Sequence, residues 1–374
     1  MPTNTGVIVK QTTSTTIPLK AQLEIAVVGT CTTGTLAAST PTRIRTADEA
    51  TAILGSGGAT DTLPQAVALL QRYGCGNLVV IKGATADEAG VLAAIPLLAN
   101  SITQLGVAPQ VVVCPSFNSV DIVAGLKALV DNIRAIALVN FTAATSVTDA
   151  LTARDADDGV GIKDNRIVAC FPHLKNTDDP TKLEEVSLHL AGILANLGNY
   201  GQSPLNQSLR GVNGTDVAMS LSYSSETSDN EKLNDVGVLT VNRDFDGEYV
   251  VWGGRNSSYS EGLTDVLTFI NAVRARDEIT RLVEMRLATL AFGSHKFLSQ
   301  ESNLATASLL RESFINCLAE EASKGAIKSG YQVVFNESLS NFDAGILDYA
   351  IEFAPWLPIE LIRATVKISI KVGG

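Results

Sequence analysis

A buried β-strand that ends at a glycine is predicted by the stretch Leu23-Glu-Ile-Ala-Val-Val-Gly29. Four further apolar runs of the same kind follow it. They are Asn77-Leu-Val-Val-Ile-Lys82, Gln110-Val-Val-Val-Cys114, Ala135-Ile-Ala-Leu-Val-Asn140 and Arg166-Ile-Val-Ala-Cys170. Because these Val- and Ile-rich runs are continuous, both faces of each strand are expected to be covered.

Helical patterns separate these strands and complete the first half of the chain. They cover residues 47–54, 63–73, 86–104, 119–132, 146–153 and 183–197. Buried strands that alternate with helices are typical of an α/β fold. We therefore predict a largely parallel sheet domain with flanking helices.

A different pattern follows the polar stretch 199–208, which is rich in Gly, Asn, Gln, Ser and Pro. It predicts a hairpin (236–242 and 247–252), helices (263–292 and 303–322) and strand-like segments (331–337, 345–353 and 359–372). We interpret this part as a second, α+β domain. The predicted division is an N-terminal segment (1–20), an α/β domain (21–205), the second domain (206–357) and a C-terminal segment (358–374).

Composition excludes several classes of protein. The chain has 374 residues, of which 45% are hydrophobic, so it can bury sizeable cores. With 28 Lys and Arg against 39 Asp and Glu, the net charge of -11 argues against nucleic-acid binding. Five scattered cysteines without a CxxC pair indicate reduced thiols. The longest apolar stretch, Ala89–Ala99, is about half a membrane span, so no direct membrane insertion is expected.

Both chain ends combine strand patterns with positive charge. The residues of the two predicted strands are Gly6, Val7, Ile8, Val9 and Lys10 at one end and Arg363, Val366, Lys367, Ile368, Ile370 and Lys371 at the other. In the C-terminal strand, apolar residues alternate with basic or polar ones, which predicts an edge strand. A strand that completes the sheet of its own chain is an open alternative. The side chains of 1–20 and 361–374 sum to +5, which leaves -16 for 21–360 out of the total of -11.

The catalytic motifs that this fold class suggests are all incomplete or absent. Gly29 and Gly34 have the spacing of a phosphate loop, but Thr35 stands where such a loop requires lysine. Gly55-Ser-Gly-Gly58 lacks the third glycine of a dinucleotide fingerprint. The three histidines are far apart, the acidic run 155–158 lacks the distal glutamate of a calcium loop, and no GxSxG elbow occurs. We predict no catalytic, cofactor or metal site.

The most informative stretch is non-catalytic and runs through the predicted hairpin. It contains Gly237 and Val238, then Trp252, Gly253, Gly254 and Arg255, and then the helix Phe269–Arg276. This order resembles the contractile tail sheath proteins of bacteriophages and related injection machines, which show a GVN segment and a strand that ends in WGxRT. Leu239 and Asn256 depart from that pattern. The strand 109–115 and the ending 355–370 agree in order, so the resemblance spans nearly the whole chain.

The resemblance implies a structural subunit without an active site or cofactor. Such subunits polymerise helically around an inner tail tube and contract to drive the tube through the target cell envelope. The implied partners are further copies of the chain, the tail tube protein, and the baseplate and tail terminator proteins. The implied location is a virion tail or phage-tail-like particle, assembled in the bacterial host cytoplasm.

The resemblance also implies roles for particular residues. It makes 1–20 and 358–374 linking arms that would donate strands to a neighbouring subunit, 21–205 the outer or middle domain, and 206–357 the inner domain. We expect Trp252 to be packed, the two glycines after it to admit close backbone approach, and Arg255 to pair with a carboxylate or carbonyl. Candidate tube contacts are Arg274, Arg281 and Arg311, for which an intramolecular ion-pair face is an open alternative.

Two other functions remain open at this point. The alternating first half and its glycine turns are also typical of a nucleotide- or sugar-phosphate-binding α/β enzyme. That enzyme would need a lysine, an acid–base pair or a metal set, which the sequence does not offer. A capsid-like or secretion-system scaffold is the second alternative.

Overall fold

The computed structural model describes residues 23–58, 60–141, 146–223, 225, 227–260, 262–290, 300–340 and 348–358. Its strands within these ranges are β1 (Ile25–Gly29), β2 (Thr42–Ile44), β3 (Leu78–Lys82), β4 (Val111–Val113), β5 (Ile136–Asn140), β6 (Ile167–Cys170), β7 (His173–Asn176), β8 (Leu183–Glu185), β9 (Val212–Thr215), β10 (Val238–Arg243), β11 (Tyr249–Trp252), β12 (Gln332–Phe335) and β13 (Tyr349–Glu352). Its α-helices are α1 (Ala47–Leu54), α2 (Leu63–Arg72), α3 (Glu88–Ala94), α4 (Ser101–Leu105), α5 (Val120–Ile133), α6 (Val147–Asp155), α7 (Val186–Asn196), α8 (Asp229–Asp235), α9 (Ile270–Leu290) and α10 (Gln300–Ser323).

An eight-stranded sheet organises most of these elements. Its strand order is β11-β10-β6-β5-β4-β1-β3-β2. The pairs from β3 across to β10 are parallel, whereas β2 and β11 pair antiparallel at the two edges. The predicted α/β class with a largely parallel sheet and flanking helices is therefore confirmed.

Strand β1 shows why the continuous apolar runs are needed. Ile25 and Val27 belong to the hydrophobic cluster on one face of the sheet, which includes helices α1, α2 and α7. Ala26 and Val28 belong to the cluster on the other face, which includes helices α3 and α5. Successive residues of a strand point to opposite faces, so covering both faces requires apolar residues at every position.

The helices that cover the sheet begin at polar capping residues. The side chains of Thr46, Asp87, Ser119 and Ser146 accept hydrogen bonds from backbone N–H groups in the first turns of α1, α3, α5 and α6. These bonds satisfy N–H groups that lack a partner within the helix. The sequence therefore encodes the starts of these helices locally.

Apolar helical residues at 88–105 pack on the sheet. This stretch is long and apolar enough to be compared with a membrane span. It is divided into α3, a 3-10 turn at Ile95–Asn100, and α4. Val91, Ala94, Ile95 and Leu98 are fully buried in the cluster beneath α5. Core packing accounts for the apolar character of these residues.

The hairpin β10–β11 extends the main sheet. Val238 and Leu239 pair in parallel with Ala169 and Cys170 of β6. The predicted division at 205/206 placed this hairpin in the second domain, whereas β10 pairs with the main sheet. Strand β10 is apolar and buried, and its partner β6 lies about 70 residues earlier in the chain. The local sequence pattern does not reveal a pairing over that distance.

Two smaller sheets complete the described structure. Strands β8, β7 and β9 form an antiparallel sheet of three strands. Strands β12 and β13 form a two-stranded antiparallel sheet. Ile279, Leu310, Phe314, Leu318 and Val333 form the hydrophobic cluster between this pair and helices α9 and α10.

Candidate functional site

The segment Trp252–Asn256 carries the chain from the sheet edge toward helix α9. Trp252 ends β11, and Gly253 follows with a φ of +105°. Arg255 then forms an isolated antiparallel bridge with Phe269, which directly precedes α9. The segment therefore fixes how the second half of the chain leaves the main sheet.

Trp252 is half-buried and has a polar and an aromatic partner. Its indole Nε1 donates a hydrogen bond of 2.9 Å to Oε1 of Glu231 in α8. Its ring makes an edge contact with Tyr223 at a centroid distance of 5.0 Å. Tyr223 stacks in turn on Phe245 at the hairpin tip, whose side chain is 96% exposed. The tryptophan thus joins the hairpin to α8.

Three glycines around this segment lie where another atom approaches closely. Gly237 has a φ of +74°, and a Cβ there would stand 2.7 Å from the carbonyl oxygen of Asn256. A Cβ at Gly253 or Gly254 would stand 2.9 Å from the Asn234 Oδ1 or the Ser203 Oγ, respectively. Side chains larger than hydrogen would push these neighbours away.

Arg255 is enclosed by two aromatic rings. Its guanidinium carbon lies 3.8 Å from the ring centroid of Phe269 and 4.0 Å from that of Tyr259. Its Nη1 donates a 2.6 Å hydrogen bond to Oγ1 of Thr268. The described partners thus include a hydroxyl and two π faces, and the carboxylate or carbonyl partner expected from the sequence stays a prediction. Stacking on aromatic faces suits arginine's planar guanidinium.

The structural role of Asn256 was not predicted from the sequence, where this residue is only a departure from the family pattern. It is fully buried, and its Nδ2 donates to the carbonyl oxygens of Asn165 (2.9 Å) and Leu267 (2.7 Å). Ser257 is also fully buried and donates to the Asp164 carbonyl. A polar pair separated from a glycine pair only by Arg255 was the only signal available.

A buried arginine completes this network. Arg154 of α6 donates to the carbonyl oxygens of Val236, Gly161 and Ser257. Burial lowers the pKa of its guanidinium, which remains charged at neutral pH. These bonds join α6 to the loops on both sides of the hairpin, so the network is architectural.

A cavity of about 600 Å³ lies at the amino-terminal end of the parallel strands. Glu24, Gln110 and Ile136 line it at the starts of β1, β4 and β5. The other walls are the end of α7, helix α9 and the end of α10. Arg274 and Arg281 both line this cavity, as their spacing on one helix face predicted.

The structure changes the interpretation of the three predicted tube contacts. Arg274 is only 9% exposed, so it lies within the cavity and not on an outer face of the chain. Arg281 is paired with Glu278 at 3.0 Å, one helical turn earlier. The Nε of Arg311 donates to the Val333 carbonyl at 2.8 Å. Intramolecular partners are thus present for the latter two.

The predicted arm strands lie outside the described residues. These are Gly6, Val7, Ile8, Val9 and Lys10, together with Arg363, Val366, Lys367, Ile368, Ile370 and Lys371. The nearest described residues are Leu23, which lines the cavity, and Pro358, whose ring lies near Gly254. The described chain therefore begins and ends beside the two sites above.

The carboxylate of Asp61 occupies the backbone N–H groups beside the turn that follows β1. Asp61 accepts hydrogen bonds of 2.7 Å from the backbone N–H groups of Thr32 and Gly58. Burial by itself would raise the pKa of this carboxyl, but these bonds lower it below its usual value. Backbone N–H groups that would otherwise bind a phosphate are thus occupied, which disfavours the nucleotide-binding alternative.

Other titratable groups offer little chemistry in the part of the chain that the structure describes. No group of three or more His, Cys, Asp and Glu residues there could hold a metal ion. All five cysteines are buried, and burial raises the pKa of each thiol. Neutral buried thiols are poor nucleophiles.

Comparison with known proteins gives consistent similarities. The profile of the phage tail sheath protein central domain matches residues 85–257. The tail sheath protein of Burkholderia phage BcepMu is 27% identical over 204 residues, which are 52% of this chain and 42% of that protein. The chain thus spans less than half the length of this curated relative.

Solved structures share the fold over nearly the whole chain. A chain of the anti-feeding prophage baseplate has a TM-score of 0.69 at 17% identity, with 99% of this chain and 100% of that chain covered. A chain of the PVC sheath complex, an extracellular contractile injection system in the contracted state, has a TM-score of 0.70 at 15% identity, with 99% of each covered. The described fold is therefore that of these particles' subunits.

Proposed function

We propose that this chain, which belongs to the contractile tail sheath family, is a structural subunit that polymerises helically around an inner tail tube and contracts. The resemblance predicted from the sequence is confirmed by the profile match and the curated relative. The observation that carries the proposal is whole-length similarity to a chain of a contracted sheath complex. Contraction of the polymer would drive the tube through the target cell envelope.

Strand addition is the proposed link between subunits. In the described residues, β12 and β13 pair only with each other, so each has an outer edge without a strand partner. Val334 on β12 is 45% exposed, and Trp356 and Leu357 just after β13 are also exposed. An extended segment from a neighbour would gain backbone hydrogen bonds and cover these apolar side chains.

The terminal arms are the segments that we propose for this role. Residues 1–20 and 358–374 contain the predicted strands, and their basic side chains complement an acidic body. Because the arms would hold neighbours through backbone ladders, connectivity would persist while the bodies rotate during contraction. The division into outer and inner domains remains a prediction, with the hairpin reassigned to the main sheet.

Deletion of the arms tests the proposal. Chains that lack residues 1–20 or 361–374 are expected to remain folded and to lose the ability to form tubes. Negative-stain microscopy of the intact chain should show hollow striated cylinders. Normal cylinders from both truncated chains would refute the arm linkage, whereas small oligomers of the intact chain would refute the sheath function itself.

Further partners follow from the same proposal. The solved relatives include a baseplate chain, which supports association with a baseplate, and the tail tube and terminator proteins are proposed by family resemblance. The particle would be a virion tail or a phage-tail-like particle, and its assembly is proposed to occur in the host cytoplasm.

The tube-facing surface is proposed to include Arg281 and Arg311. Charge reversal at either position is expected to weaken co-assembly with tubes in a sedimentation assay, while circular dichroism stays unchanged. Unaltered co-sedimentation of both variants would remove these arginines from the proposed interface. Their intramolecular contacts with Glu278 and Val333 would then be their whole role.

A further inference from the structure

Arg274 is a buried cation whose Nη1 has no hydrogen-bond partner in the described chain. Its side chain lies on α9 and is 9% exposed, and its Nη1 is enclosed without a partner. Burial lowers the pKa of the guanidinium to about 10, and the nearby Glu278 acts against that shift. The group is therefore still charged at neutral pH. A buried charge without a partner is costly, so its retention calls for an explanation.

Other charged groups that line the cavity have partners of their own. The ion pairs are Asp277 with Arg166, Glu278 with Arg281, Glu321 with Lys324, and Arg134 with Glu284. Glu24 lies 3.6 Å from Arg43. Among the charged side chains described around the cavity, Arg274 thus stands out as one positive charge that needs an anion.

The cavity has room for an incoming side chain. Its volume is about 600 Å³, and Leu194, Leu197 and Leu282 contribute apolar walls. Arg134 and Lys324, whose side chains are 44% and 52% exposed, connect it to solvent. An elongated acidic side chain could therefore place its apolar stem on the leucines and its carboxylate on Arg274.

We propose that this cavity receives an acidic side chain from a second copy of the chain and that Arg274 binds its carboxylate. A guanidinium binds a carboxylate through two parallel N–H···O bonds, so the contact would fix orientation as well as add affinity. This inference rests on the proposed function, because it needs subunits that pack against one another.

Charge distribution identifies the source of the carboxylate. Residues 1–22 and 361–374 contain no Asp or Glu, so Glu360 is the one acidic side chain in the sequence of the two arms. Residues 21–360 carry a net charge of -16, since the two ends contribute +5 to a total of -11. A neighbouring body is therefore the richest source of acidic side chains.

A density map of assembled wild-type cylinders tests the proposal directly. An Asp or Glu of a neighbouring copy should lie within about 3 Å of the Arg274 guanidinium, at hydrogen-bond distance. A cavity that holds only water, or only residues of its own chain, would overturn the inference. Wild-type protein that never assembles would instead count against the proposed function.

A pair of variants separates binding from folding. Arg274→Met keeps most of the side-chain volume and removes the charge, so the unassembled chain should melt at the wild-type temperature or above. Its critical concentration for assembly should rise at least about 30-fold, because the neighbour's carboxylate would be buried without a partner. Arg134→Met, at the mouth of the same cavity, is the matched control and should assemble nearly as wild type does. Equal assembly of Arg274→Met and wild type would overturn the proposal.

A small free dicarboxylate could also bind the Arg274 guanidinium in this cavity. Sodium glutarate is the probe, added to the unassembled wild-type chain and to Arg274→Met in thermal unfolding experiments. We expect no saturable stabilisation of either chain. Saturable stabilisation of wild type alone would assign the cavity to a small dicarboxylate and overturn its role between subunits.

Discussion

Gly237 lies where the backbone before β10 meets the chain that leaves the hairpin. Its φ is +74°, and a Cβ would stand 2.7 Å from the Asn256 carbonyl oxygen and 3.0 Å from that of Tyr259. Gly237→Ala should lower the free energy of unfolding by about 3 kcal/mol or more, from left-handed backbone strain and steric overlap together. Urea unfolding provides the measurement.

Gly247 is the matched control for this substitution. Its φ is +86°, but no atom lies within 4 Å of the position of a Cβ. Gly247→Ala should therefore cost only the backbone strain, about 1 kcal/mol. Equal losses for the two variants would show that the close approach at Gly237 contributes nothing.

The carboxyl of Glu184 should make the free energy of unfolding depend on pH, and comparison with Glu184→Gln measures its part. Burial by itself would raise the pKa of its carboxyl, but hydrogen bonds from His189, Arg72 and Asn176 lower it to about 2. Because the folded-state pKa lies below the usual 4.5, this stabilisation is complete above pH 4.5 and is lost as the pH falls toward 2. At pH 6 the free energy of unfolding of wild type should exceed that of Glu184→Gln by about 2 kcal/mol, a figure reduced for solvent screening. This difference should shrink as the pH falls.

The test is urea unfolding of both proteins from about pH 6 down to about pH 2.5, across the titration range of the carboxyl. Glu320→Gln removes a carboxylate that is 54% exposed and paired with Lys324, so it should change stability by less than about 0.5 kcal/mol. A wild-type advantage over Glu184→Gln that is the same at every pH would contradict the assigned pKa shift.

Arg274 shows how far single residues of the site could be predicted. The seven-residue spacing correctly placed Arg274 and Arg281 on one side of α9, because helical periodicity is local. It could not tell that α7 and the strand starts cover that side, since this packing brings together residues far apart in sequence. Asn256 was underrated because its partners, Asn165 and Leu267, are set by the fold.

At the scale of elements, Asn271 joins helix α9 to two separate loops. It is 1% exposed, and its Nδ2 donates to the carbonyl oxygens of Gly201 (2.9 Å) and Trp356 (2.6 Å). Asn271→Ala leaves both acceptors without this donor and should cost about 2 kcal/mol. Because Trp356 follows β13 directly, amide hydrogen exchange in β12 and β13 should accelerate more than exchange in β1 and β4.

Asn196→Ala is the control for this element. Its Nδ2 donates to the carbonyl oxygens of Tyr73 and Gly192, both within the part of the chain around the main sheet. The substitution removes the same kind of bonds without touching the β12–β13 pair. The same exchange pattern in both variants would argue against a specific role for Asn271.

The elements that the sequence predicted are those with strong local signals. Strands β1, β3, β4, β5 and β6 are continuous apolar runs, and helix α1 has the predicted bounds. Strands β7, β8 and β9 were missed because HLKN, LEE and VNGT are short and mostly polar. The hairpin was predicted, yet its pairing with β6 was not, because a strand's sequence specifies its faces and not its partner.

At the scale of the whole molecule, charge is divided between the body and its ends. The ends contribute +5 and residues 21–360 contribute -16 to the total of -11. Opposite charges on these parts would attract the ends of one copy to the body of the next over roughly a Debye length, about 10 Å at 0.1 M salt. The division gives a protein with a net negative charge a route to self-association.

Salt dependence of assembly tests this division. The basic residues of the ends are Lys10, Lys20, Arg363, Lys367 and Lys371. Wild-type critical concentration should rise between about 0.05 M and about 0.5 M NaCl, as the Debye length shortens. Replacement of all five by glutamine should remove most of that rise, measured by sedimentation of cylinders.

The matched control removes five charges from the body instead. It replaces Arg134, Lys163, Lys182, Lys232 and Lys324, whose side chains are 44–74% exposed, by glutamine. Both variants have the same net charge, so a difference between them reports where the charge lies. The body variant should keep the wild-type salt dependence or strengthen it, because an even more acidic body attracts unaltered basic ends. Equal loss of salt dependence in both would mean that net charge, and not its division between ends and body, controls assembly.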